Sequence, residues 1–114
     1  MLSFQRLHVY QRSIELLAFV TEVSESVPRG HAERIDQLLR ASESIVRNIA
    51  EGAGRWSRAD CAKHYKIARG EAMETAASLD VMRVRKLLEP AQHEHALGLV
   101  SEVVAMLTAL IKQA

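Results

Sequence analysis

A chain of 114 residues has room for one compact domain and too little for two of ordinary size, so a single domain over residues 1–114 is predicted. Its hydrophobic share of 48% includes only 4% aromatic residues, which leaves Leu, Val, Ile, Ala and Met to fill the core and favours packed helices over a β-sandwich. The formal charge of +1 conceals a mildly basic middle, since residues 29–88 carry twelve Lys/Arg against eight Asp/Glu.

The first segment shows two apolar rows at helical spacing, one of Leu7, Tyr10, Ile14 and Leu17 and one of Val9, Leu16, Val20, Val23 and Val27. Pro28 and Gly30 stop it, because proline disfavours helix in the residue before it and glycine readily takes positive φ. A second helix is predicted from about His31 to Arg55. Its apolar arc holds Ile35, Leu38, Leu39, Ser42, Ile45, Val46, Ile49 and Ala53, with Arg40, Ser44, Arg47, Glu51 and Arg55 opposite. Gly52 and Gly54 are expected to supply its C-terminal turn.

Ser57 followed by Asp60 resembles a capping box and predicts a third helix running to about Leu88. Pro90 fits the first turn of a fourth, which continues to near Gln113 and covers nearly half its circumference with apolar residues. Four long helices with short links predict an all-α fold, an antiparallel up-down-up-down four-helix bundle. The double row on helix one and the wide arc on helix four exceed what such a core uses. Self-association through them is expected, with Leu16, Val20, Val23, Leu99, Val103 and Met106 as candidate subunit-interface residues.

No basic leader followed by an apolar run opens the chain, and no apolar run approaches the ~20 residues of a spanning helix. The lone Cys61 excludes an intrachain disulfide and any CxxC pair, so a reducing, cytoplasmic setting without membrane insertion is expected. Metal binding is not predicted, because His93 and His95 point about 200° apart on a helix and no Glu has His three residues later. Neither a catalytic set nor a cofactor or nucleotide motif is present, and Gly52-Ala-Gly54 lacks the Lys-Ser/Thr of a phosphate loop. Cys61, Met73, Met82 and Met106 read as core filler.

A partner surface is sought instead on the polar face of helix two, at Arg47, Asn48, Glu51 and Arg55, extended by Lys63, Lys66 and Arg69 on helix three. The competing reading of Arg47, Glu51 and Arg55 is a ladder of surface ion pairs. Asn48 and Gly70 both weaken a helix interior, so Asn48 is expected to bond to backbone or across an interface. Gly70 is expected to admit a close helix contact.

The elements Phe4-x-x-Leu7-x-Val9-Tyr10-Gln11, Gln37-Leu-x-Arg40-Ala-x-x-Ser44-Ile, Asn48-Ile-Ala-Glu-Gly52-x-Gly-Arg55-x-Ser57 and Ile67-Ala-Arg-Gly70 resemble the proteins encoded within intervening sequences of bacterial 23S ribosomal RNA genes, the S23 family. The resemblance covers nearly the whole chain and implies a cytosolic four-helix bundle assembling as a homopentamer. It extends to the accessory variability determinant of diversity-generating retroelements, and so implies RNA or DNA as a partner. Departures from the family pattern are Asp60-Cys61 and His64, where an acidic residue and two phenylalanines are usual, and Glu71 in place of a common serine. Glu71 is expected to weaken nucleic-acid binding near Arg69. Two functions follow: a pentameric nucleic-acid-binding accessory factor, or a protein-protein assembly scaffold with no nucleic-acid binding.

Overall fold

Local signals along the chain set four helices, seen in a computed structural model that describes residues 1–113. A single 3₁₀ turn at Ser3–Arg6 precedes α1 (His8–Glu25), α2 (Ala32–Ala53), α3 (Arg58–Val84) and α4 (Pro90–Lys112). Gly30 takes φ of 99° in the α1–α2 link, the left-handed conformation that only glycine adopts without cost. Ser57 caps α3, its hydroxyl accepting the Asp60 amide at 3.1 Å. At the start of α4, Pro90 occupies the first turn, and the Gln92 side chain accepts the Glu89 amide at 2.9 Å.

Helix α3 ends at Val84, short of the expected Leu88, and the means is a lysine. Lys86 has φ of 61°; the Leu87 amide donates to the Met82 carbonyl at 2.9 Å and the Lys86 amide to the Arg83 carbonyl at 3.0 Å. This is a Schellman ending with lysine where glycine is usual. A left-handed L-residue costs about 1–2 kcal/mol. Lys86→Gly is therefore expected to stabilise the chain by about 1 kcal/mol, seen as a higher urea midpoint with an unchanged slope.

Each helix packs against its chain neighbours and α1 closes the ring against α4, giving the up-down-up-down arrangement. The particle is 44 Å long, and 27-residue α3, at about 1.5 Å per residue, runs almost its full length. Leu16, Leu38, Ile45, Ile49, Leu79, Met82, Val103 and Leu107 are fully buried between the helices. Burial of each such side chain contributes about 1.5–3 kcal/mol.

The packing corrects three expectations. Leu16, Val20, Val23, Leu99 and Val103 lie inside the chain's own core, so they are not available to a second subunit; Met106 is only partly covered. The physical reason is that the second apolar row of α1 is its core row. Helix α4 is, among the described residues, the one helix long and apolar enough by composition to cross a membrane. Yet Ala96, Leu99, Val100, Val103 and Leu107 form its buried face in the bundle. Met73, read as core filler, is 45% exposed.

Gly70 also differs from expectation, because a Cβ built there would meet nothing within 4 Å. The close approach is at Gly52, which is buried within α2 and faces the ring of Tyr65 on α3. Gly54 does end α2, as its C-cap in a turn, with φ of −87° and so without a left-handed residue.

Candidate functional site

The end of the bundle built by the last turns of α2 and the first turns of α3 concentrates positive charge. Residues 47–69 carry six Lys/Arg against two Asp/Glu, whereas the segments 22–36 and 80–94 at the opposite end carry five against seven. On α2, Arg47, Glu51 and Arg55 are exposed, and Arg55 donates to the Glu51 carboxylate at 2.7 Å. With both side chains about half exposed, at 46% and 52%, this pair contributes only a few tenths of a kcal/mol. It neutralises Arg55 without removing Arg47 from the surface.

Asn48 is half-buried and donates to the Ser44 carbonyl at 2.9 Å and the Ser44 hydroxyl at 3.1 Å. Its Oδ1 lies 3.5 Å from Nδ1 of His64, so the side chain also reaches across to α3. Its place inside a helix is thereby explained by local bonding. His64 faces Asn48.

The candidate cations on α3 do not share one face with those on α2. Five residues separate His64, which faces α2, from Arg69, which faces α4, an offset of about 140° around the helix. Lys63 and Lys66 are exposed, and Arg69 donates through Nε to the Thr108 hydroxyl of α4 at 2.9 Å. Thr108 in turn donates to the Val104 carbonyl at 2.8 Å, which fixes its oxygen toward the arginine. Lys66, Arg69, Thr108, Ile111 and Lys112 surround an open depression of about 260 Å³. Among the described residues it is lined by three cations and no acidic side chain, and none of the three forms an ion pair there. Glu71 is about 160° around α3 from Arg69 and is not among the lining residues.

A second depression of about 240 Å³ along the same α3–α4 groove is lined by Arg58, Cys61, Ala62, Tyr65, Leu110 and Gln113. Burial, with a smaller effect of a Cys61 thiolate, pushes the Tyr65 phenol up from its ordinary range, so its hydroxyl stays a neutral donor. Cys61 is partly exposed and its sulfur lies 3.5 Å from the Arg55 carbonyl. Among the described residues, no three His, Cys, Asp or Glu side chains gather as metal ligands would. This arrangement can attract phosphate or carboxylate oxygens by charge and hydrogen bonding.

Sequence reasoning missed Arg58, Thr108, Lys112 and Trp56. The last is fully exposed, at 101%, in the α2–α3 link. Its signal was available: the chain's one tryptophan falls outside every apolar stripe.

These features define an all-α four-helix bundle with a cationic end. Residues 5–109 match the family model described as 23S rRNA-intervening sequence protein, and the chain belongs to that family. A crystal structure from the S23 ribosomal protein family of Bacteroides thetaiotaomicron VPI-5482, described as a protein with unknown function, is 27% identical and superposes with a TM-score of 0.84. The match covers 91% of this chain and 98% of that one. No curated protein matches the chain.

Proposed function

We propose that the chain is a non-enzymatic, homo-oligomeric nucleic-acid-binding accessory factor that grips phosphates at the cationic end of the bundle. The observation that carries this reading is the depression between α3 and α4, where Lys66, Arg69 and Lys112 converge and no acidic side chain of the described residues lines it. Three convergent cations suit a polyanion, and Thr108 adds a hydroxyl that orients Arg69. One copy with formal charge +1 binds weakly. Repetition of the site in an oligomer, pentameric as the family likeness implies, raises avidity without any new contact.

Self-association is assigned to the outer face of α3, where Gly70, Met73, Ala77, Val81 and Val84 are all exposed. At about 100° per residue they fall within an arc of about 80°, which contains no charged residue from Gly70 onward. The same uncharged arc fits a helix of a different protein, which keeps the assembly scaffold as the second reading.

Binding to structured RNA and duplex DNA, titrated with salt, tests the proposal. Lys66→Glu and Lys112→Glu are each expected to lower affinity about tenfold or more at low salt and to reduce the salt slope by about one for each phosphate no longer neutralised. Arg29→Glu, at the opposite end, is expected to change little. No binding at low salt, or equal binding by all variants, leaves the scaffold reading. A monomer by light scattering at micromolar concentration overturns the oligomer.

A further inference from the structure

We infer that Trp56 is a stacking platform for an unpaired base, so that the cationic end prefers single-stranded RNA or DNA over a duplex; this rests on the nucleic-acid reading above. The indole is 101% exposed in the four-residue link between α2 and α3. Nothing in the fold uses it. The link is closed by backbone bonds, with the Gly54 amide donating to the Ala50 carbonyl at 3.1 Å and the Arg55 amide to the Gly52 carbonyl at 3.2 Å. Neither aromatic pair of the bundle includes Trp56. Leaving so large an apolar ring in water forgoes stabilisation that burial would give.

The surroundings select the ligand. Arg55 and Arg58 flank the ring in sequence, and Arg58 also lines the depression that holds Cys61 and Tyr65 in the α3–α4 groove. The cations of the other depression, Lys66, Arg69 and Lys112, lie further along that groove. A base stacked on the indole would direct its own phosphates into this run of positive charge. Aromatic rings beside a cationic groove are the means by which single strands are held without sequence readout. Paired bases inside a duplex do not present a face to the ring.

Because Trp56 is the chain's one tryptophan, its fluorescence reports on that ring alone. The full chain is titrated at low salt with a 12-nucleotide oligo(dT), an oligo(U) of the same length and a matched DNA duplex. Saturable quenching by the single strands and little by the duplex is expected. Trp56→Ala is expected to weaken single-strand binding about 5- to 150-fold, with Trp56→Phe retaining part of the affinity. Both variants should keep the parent's melting temperature, because the ring touches no core residue. If single strands bind in a Lys66-dependent way without quenching and Trp56→Ala binds as well as the parent, the stacking role falls while the phosphate site stands. If no nucleic acid binds at all, both fall. Loss of oligomer size in Trp56→Ala would assign the ring to a subunit contact and overturn the inference.

Discussion

Leu16→Ala is expected to lower the unfolding free energy by about 3–5 kcal/mol, the range for emptying a fully buried leucine site that cannot collapse. Leu16 is 0% exposed on α1 and sits in the cluster that joins all four helices. For a domain whose total stability is about 5–15 kcal/mol, the loss is about a fifth or more of what holds it together. A fall in melting temperature of about 10 °C or more follows. Urea unfolding across a range of protein concentrations checks the cause: a core residue shifts the midpoint equally at every concentration, while loss of a subunit contact shifts it more at high concentration, where the parent is associated. Leu16→Met, which nearly conserves volume, should cost less than about 1.5 kcal/mol. A variant that melts like the parent but changes oligomer size would refute the core assignment.

Gly52→Val is the second large effect, expected at about 3 kcal/mol, with Gly52→Ala at about 1–2 kcal/mol. A Cβ at this position would come within 2.8 Å of Tyr65 Cε1, 3.0 Å of its Cδ1 and 3.1 Å of the Cys61 carbonyl oxygen. The ring has little room to retreat, since Tyr65 is 8% exposed, and the carbonyl belongs to the backbone of α3. The two helices must therefore separate at their most closely joined point. Replacing glycine by alanine in a helix interior gains about 1 kcal/mol of propensity, which offsets part of the crowding. Gly98→Ala, in α4 and off the proposed subunit face, isolates that gain, because nothing lies within 4 Å of a Cβ there. It should raise stability by about 0.5–1 kcal/mol. Thermal melts of the two alanine variants should thus move in opposite directions, and movement in the same direction would contradict the packing described at Gly52.

The fold was legible where a local signal coincided with what packing rewards. The stripe of α2 could be read because Leu38, Ser42, Ile45, Val46 and Ile49 repeat at helical period and are all buried. Ser57 and Pro90 marked helix starts because their chemistry acts within one turn. The end of α3 was not legible, because its left-handed residue is Lys86 and no glycine announces it. Periodicity shows that α1 has two apolar rows but not which one meets α2 and α4. That choice depends on the azimuth of neighbouring helices, and it moved the three candidate interface residues of α1, Leu16, Val20 and Val23, into the core. Of the candidate site, the residue types were legible and their grouping was not. Arg69 joined Thr108 and Lys112 from α4, more than 35 residues away in sequence, a partnership that no spacing within α3 encodes.

The bundle's buried hydroxyls bear on how its helices keep their registration. Ser13 donates to the Tyr10 carbonyl, Ser24 to Val20, Ser42 to Leu38 and Thr75 to Glu71, each within its own helix. These four satisfy themselves without tying one helix to another. Within the core, axial slip is therefore resisted by shape, above all by the Tyr65 ring lodged over Gly52, while Arg69–Thr108, Arg12–Glu102 and His93–Asp80 tie helices at the surface. A core keyed by shape tolerates exchange of one apolar side chain for another of similar volume. Such tolerance accounts for a relative only 27% identical keeping the same path through space, and it frees the exposed link and groove to vary with whatever each relative meets.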